Sequence, residues 1–273
     1  MANPVVLPPI VIVTNSTLPG VPSAAPNKSE LIRTIALDTL AELAISLTIW
    51  APVSFFAATP ISAAALLALS LVQVAVSAIF RYLEATGKTA NFPSWFPKAT
   101  EFNSGAFAFV AAKRGQTLIH EGGHALAAKA LFQNANPRVT VYPLSPSAMG
   151  STEYFSGSLT SFGKRLGKEK SLALVAAAGP IVSLSLSSIL FTTGLAIKQS
   201  YPKISAYLTA AALQDFATHF FYALSAYWAT HSTHDFVRLA GIGISPLMVA
   251  VTMAAVPLLI YGVHKWMNPE KAT

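Results

Sequence analysis

Apolar residues in this 273-residue chain gather into stretches of about 20 or more, parted by short polar segments, which is the length a helix needs to cross a lipid bilayer. Two of them, about 35–58 and 61–82, flank Pro60 and predict an antiparallel helical pair joined by a very tight turn. Asp38 and Glu42, near the start of the first, are expected at the membrane interface. A third stretch, about 106–132, is helical in pattern but interrupted by ionisable residues. Three more, about 171–197, 204–229 and 236–263, follow. Between residues 134 and 170 the character changes. Arg138-Val139-Thr140-Val141-Tyr142 is β-branched and aromatic, and Ser151–Phe155 follows Gly150, so a small hairpin or edge strand is expected there. The fold class is therefore an all-α multi-pass membrane protein of about six transmembrane helices, with a small membrane-associated β-hairpin or edge strand between the third helix and the next span.

The same pattern divides the chain. Residues 1–30 contain many Pro, Ser and Asn and read as a flexible N-terminal tail. Residues 31–104 form a two-helix membrane extension with a linker whose Trp95 suits a headgroup-level anchor, 105–265 a membrane core, and 266–273 a C-terminal tail.

Composition narrows the classes further. The chain is 53% hydrophobic and 11% charged, against about 25% charged in ordinary soluble domains. Its net charge of +7 carries no basic helix face interleaved with aromatics, so the partners expected are the lipid bilayer and its anionic headgroups, with no nucleic acid. Without cysteine there is neither a disulfide nor a thiolate ligand.

The third stretch carries His120-Glu121-Gly122-Gly123-His124. On a helix, residues four apart share a face, so both imidazoles can reach one metal while Glu121 leans toward its water as general base. With no thiolate available, one Zn²⁺ per chain is expected, held by imidazole and carboxylate. Gly122 and Gly123 weaken a helix interior, and close approach of another backbone is the compensation expected for both.

A third protein ligand has to come from elsewhere. If the helix ends at the face carrying the 129–170 loop, the next two helices cross away and return, delivering residues 230–238 to that face. Only Asp38, Asp215 and Asp235 are aspartates, and Asp235 fits this path best. His231 and His234 stand open as alternative ligands or outer-sphere donors, and Arg238, one turn after Asp235, as its partner. Asp215 and His219 form an i,i+4 pair in mid-helix. They are either a rival ligand pair or an internally satisfied pair that helps helices associate. The 129–170 loop holds Lys129, Arg138, Lys164, Arg165, Lys168 and Lys170 against Lys198 and Lys203 in the opposite turn, so the active-site face is expected in the cytoplasm. Arg81, Lys88 and Lys98, with Lys113 and Arg114 in the first turns of the motif helix, oppose that assignment.

His120-Glu121-Gly122-Gly123-His124-Ala125-Leu126-Ala127-Ala128 resembles the HExGHxxAA helix of the site-2 protease family of intramembrane zinc metalloproteases. Ala178-Gly179-Pro180 resembles the AGP that opens that family's next helix, and Asp235 stands in the place of its late aspartate ligand. The resemblance covers roughly residues 106–250, leaving the first two spans as an extension. Ser183 stands where the family usually carries Asn, and Thr233-His234-Asp235-Phe236 replaces its usual approach to an Asp-Gly pair. The resemblance implies a zinc endopeptidase acting on a transmembrane protein substrate, with strands beside the site that pair with that substrate. No adaptor module is seen, so gating is expected from the tail, the first two helices, a regulatory membrane partner or a homo-oligomer. Two other readings remain at this point: a membrane zinc protease of the CAAX-processing type, which needs a glutamate as third ligand, and a membrane scaffold without activity.

Overall fold

The computed structural model describes residues 27–145, 149–229 and 234–269. Most of the expected N-terminal tail, the candidate ligand His231 and residues 270–273 lie outside the described residues. Helix α1, Lys28–Phe55, begins inside the stretch read as tail, because the Asn27 side chain accepts the Ser29 N–H at 3.2 Å and caps it. Thr59 caps α2, Pro60–Ala85, with Pro60 in the first turn where its missing N–H costs nothing, so the tight turn is as expected.

The expected linker is shorter than its composition suggests. Helix α3, Ala99–Phe107, runs through a π turn at Ala108–Ala112 into α4, Lys113–Leu131, which bears the histidine motif. The π turn takes an extra residue and rotates the faces of α3 and α4 relative to each other. Strands β1, Arg138–Val141, and β2, Gly150–Glu153, pair antiparallel with Arg138 opposite Glu153. A short α5, Ser161–Leu166, leads through Gly167 at φ +83° into α6, Lys168–Ile197, followed by α7, Pro202–Ser225. The last expected helix, 236–263, is two. It splits into α8, Asp235–Ala240, and α9, Pro246–Met267, because Gly243 turns the chain at φ +92° and Pro246 restarts it at a first-turn position.

Among the described residues four helices, α1, α2, α6 and α9, are long and apolar enough to cross a membrane, against about six expected. The two that fall short, α4 and α7, carry the ionisable residues of the candidate site, and that lowers their hydropathy. Burial supports a lipid environment independently. Ser46, Ser70 and Ser77 are buried, while Leu40, Ile45, Val72 and Ile79 are each more than half exposed. Such a pair is inside out for water. Against hydrocarbon it is stable, since lipid solvates the outer side chains, while inside Ser77 bonds Gln73 and Glu42.

Glu42, expected with Asp38 at the membrane interface, is buried among the helices. Its carboxylate pairs with Arg81 and accepts from Gln73 and from the Ser77 hydroxyl. Arg81 also donates to the Tyr207 hydroxyl on α7 at 3.0 Å, and Asn103 of α3 donates to the Ser77 carbonyl at 3.2 Å. The extension is thereby joined to the core through buried charge. Asp38 keeps the surface role, paired with Lys203 at 2.6 Å. Arg81→Leu strands the Glu42 carboxylate and is expected to cost about 3–5 kcal/mol. In thermal unfolding in detergent the double change Glu42→Leu/Arg81→Leu should recover most of that loss; equal losses in single and double variants contradict this account.

Candidate metal centre

Three side chains from two distant segments meet under the hairpin. His120 and His124 lie on one face of α4, and Asp235 is the first residue of α8, far along the chain. The two Nε2 atoms are 3.1 Å apart, and Asp235 Oδ2 is 3.3 Å from each. All three residues are buried, and together they form a group able to hold a metal ion. Donor atoms about 2.0–2.1 Å from a tetrahedral metal stand about 3.3 Å apart, so the triangle has the size of one face of such a site.

The tautomers agree. His124 Nδ1 is 2.6 Å from the Val175 carbonyl, which only accepts, so that nitrogen carries the proton and Nε2 keeps its lone pair. His120 Nδ1 is occupied by Ser183 Oγ and His219 Nε2, both at 3.1 Å, which leaves its Nε2 turned to the triangle. Two lone-pair nitrogens and an anion at these distances are satisfied by a cation.

Two glycines make the room. A Cβ on Gly179 would strike His124 Nε2 and come within 2.7 Å of His120 Nε2, so the glycine of Ala178-Gly179-Pro180 keeps open the space the donors face. Gly123 lies against the Ala178 backbone, where a Cβ would be 2.8 Å from the carbonyl oxygen, and α4 and α6 interlock there. Gly122 differs from the sequence expectation. Nothing stands within 4 Å of its missing Cβ.

The hairpin holds Glu121. Thr152 of β2 donates to Glu121 Oε2 at 2.7 Å and also reaches the Glu121 carbonyl at 3.0 Å. A Cβ on Gly150 would collide with the Glu121 side chain at 2.7 Å, so β2 can lie this close only as glycine at that point. Glu121 is buried and within electrostatic reach of His124 and Asp235.

The other candidates find varied places. Ser183 touches His120, and Asp215 with His219 stands behind the same ring. His234 caps α8 by accepting the Phe236 N–H at 3.2 Å through Nδ1, while its Nε2 meets Ser225 Oγ at 3.0 Å, so both nitrogens are engaged away from the triangle. Arg238 approaches the Tyr154 phenol. Sequence reasoning missed Thr152, Gly150, the Val175 carbonyl and Tyr222, whose hydroxyl lies 3.3 Å from both Asp235 Oδ2 and the Asp235 N–H. Tyr222 did have a signal, since Asp215, His219 and Tyr222 fall on one helical stripe. A backbone carbonyl such as that of Val175 leaves none.

No family model, curated protein or solved structure matches this chain, so a functional reading stands on the chemistry of the site.

Gly179→Ala is expected to fold yet to hold little or no divalent metal after dechelation and reloading, because its methyl occupies the donors' space. Gly122→Ala, facing open space in a helix, should keep its metal and gain up to about 1 kcal/mol. Elemental analysis and thermal melts check both; full metal content in Gly179→Ala contradicts the assignment.

Proposed function

We propose that the chain is an intramembrane zinc metalloprotease of the site-2 protease kind, hydrolysing a peptide bond in a membrane-spanning or membrane-adjacent segment of another protein. The observation that carries this reading is the junction of the donor triangle with a buried glutamate held by a strand. Two imidazoles and one carboxylate, with no thiolate, are the donor set of hydrolytic zinc sites, which leave a position open. Bound there, zinc supplies Lewis acidity, polarising a carbonyl and making water acidic enough to be deprotonated near neutral pH.

The chain's own groups do the rest. His120, His124 and Asp235 would hold the ion. Glu121 takes the proton of the attacking water and returns it to the leaving amine, and Thr152 fixes one carboxylate oxygen so that the other stays available. The helices α4 and α7 are taken as two further membrane elements inside the four apolar ones, which gives the six-helix organisation expected from sequence and shields the site from bulk water.

Substrate enters as an extended segment, since a helix keeps its carbonyls bonded and shielded. The outer edge of β1 is engaged: Val141 N–H donates to the Phe56 carbonyl at 2.6 Å, and Ala58 N–H to the Val141 carbonyl at 2.9 Å. That leaves β2, the strand that holds Glu121, as the edge for an incoming strand. The six basic residues of the 129–170 loop support a cytoplasmic orientation of this face, with Arg81, Lys88 and Lys98 weighing against it. A CAAX-type site is disfavoured because the third donor beside the histidines is an aspartate.

Glu121→Gln is expected to keep its zinc and lose at least about a hundredfold in turnover. Mapping of new protein termini in membranes of cells expressing wild type or Glu121→Gln tests this without a known substrate. Cuts within or beside membrane spans should occur with wild type alone. The same cuts with both proteins, or none with wild type, overturn the proposal.

A further inference from the structure

Behind His120, on the side away from the donor triangle, stands a chain of buried polar groups with an order of its own. His219 Nδ1 lies 3.0 Å from the Asp215 carbonyl and 3.3 Å from Asp215 Oδ1. Both atoms only accept, so Nδ1 carries the proton and Nε2 of a neutral His219 has a lone pair. That lone pair points at His120 Nδ1, 3.1 Å away. The remaining Asp215 oxygen, Oδ2, accepts from Ser187 Oγ at 2.6 Å, and Ser183, one turn earlier on α6, meets His120 Nδ1. Three helices thus contribute residues four apart: His120 and His124 from α4, Ser183 and Ser187 from α6, Asp215 and His219 from α7. Asp215, His219 and both serines are buried, with relative exposures of 6% or less.

A pair whose only task is to join helices would close its hydrogen bonds on itself. Here one end is left open toward a metal-facing imidazole. A proton on His120 Nδ1 makes Nε2 a donor to metal, whereas a proton on Nε2 removes it, so whatever accepts from Nδ1 selects the ligating tautomer. His219 is such an acceptor, and the Asp215 carboxylate holds its ring in the orientation and tautomer that accept.

We infer that Asp215 and His219 are positioning residues of the metal centre: the Asp215–His219 pair fixes His120 as the Nδ1–H tautomer and thereby sets the affinity of its Nε2 for the ion. This inference rests on the reading of His120, His124 and Asp235 as ligands. It makes the α7 pair a support of the site, neither a rival ligand pair nor a simple interhelical contact. The pattern to expect is graded. His219→Leu removes the imidazole acceptor, leaving only the Ser183 hydroxyl, which can equally act as donor, and should weaken zinc binding about 10–100-fold. His219→Gln, whose amide oxygen can accept from His120 Nδ1, should recover most of that loss, and Asp215→Asn, which keeps an acceptor for His219 but not the charge, should fall between.

The test is competition for Zn²⁺ against a chromophoric chelator in detergent at fixed neutral pH, on wild type, these three variants and Asp235→Ala, with circular dichroism to show that each is folded. Stoichiometric zinc in wild type, its loss in Asp235→Ala and the graded order above are the result expected. Zinc binding by wild type that is lost in Asp235→Ala, with His219→Leu within twofold of wild type or with Leu and Gln equally impaired, overturns the positioning role and leaves the ligand assignment standing. No zinc in wild type overturns the ligand assignment, and the inference with it. Wild type with ¹⁵N-labelled histidine gives a reading that no variant's folding can disturb. The zinc-loaded protein should show His120 protonated at Nδ1 with a coupling to a second imidazole nitrogen, and a His120 Nδ1 without that partner contradicts the inference.

Discussion

Three electron-rich atoms held 3.1–3.3 Å apart, away from water, are the constraint on which the rest of this structure depends. Placing them there is costly, because a buried carboxylate and two imidazole lone pairs lose their solvation and gain nothing from one another. The fold meets that cost by surrounding the group on every side. Val175 and His219 take the two Nδ1 positions, Tyr222 reaches Asp235, and Gly179 withholds the one side chain that would fill the space. An arrangement so fully directed has a natural complement in a divalent cation.

The same constraint explains the helices. The ionisable residues of the candidate metal centre lower the hydropathy of α4 and α7, and α1, α2, α6 and α9 are the helices apolar enough to cross a membrane among the described residues. The extension α1–α2 contributes on two levels. Glu42 and Arg81 join it to α7 through Tyr207, and its turn closes the outer edge of β1 at Val141. The hairpin is therefore held between the extension and α4, with β2 directly on Glu121.

Much of this was legible in the sequence, and the parts that were not share a physical reason. His120, Glu121 and His124 are visible because a helix maps sequence spacing onto a face. Asp235 could be singled out because aspartates are scarce and topology limits which segment returns to the site. The break at 241–245 was also readable in Gly241, Gly243 and Pro246, but a continuous apolar pattern masked it. The burial of Glu42 was not legible because its partners lie 31 or more residues away, and Gly122 was given a close neighbour that Gly123 has and Gly122 lacks. Thr152 and Val175 act through long-range contacts, one of them from a backbone atom common to every residue, so no local pattern announces them.

The most direct test of the central claim is the X-ray absorption spectrum of the zinc-loaded protein at the zinc edge. Two imidazoles and a further oxygen ligand at about 2.0–2.1 Å, with the oxygen contribution altered in Asp235→Ala, are the result this account predicts. A wild-type protein that retains no zinc, or zinc with an imidazole count other than two, would contradict it.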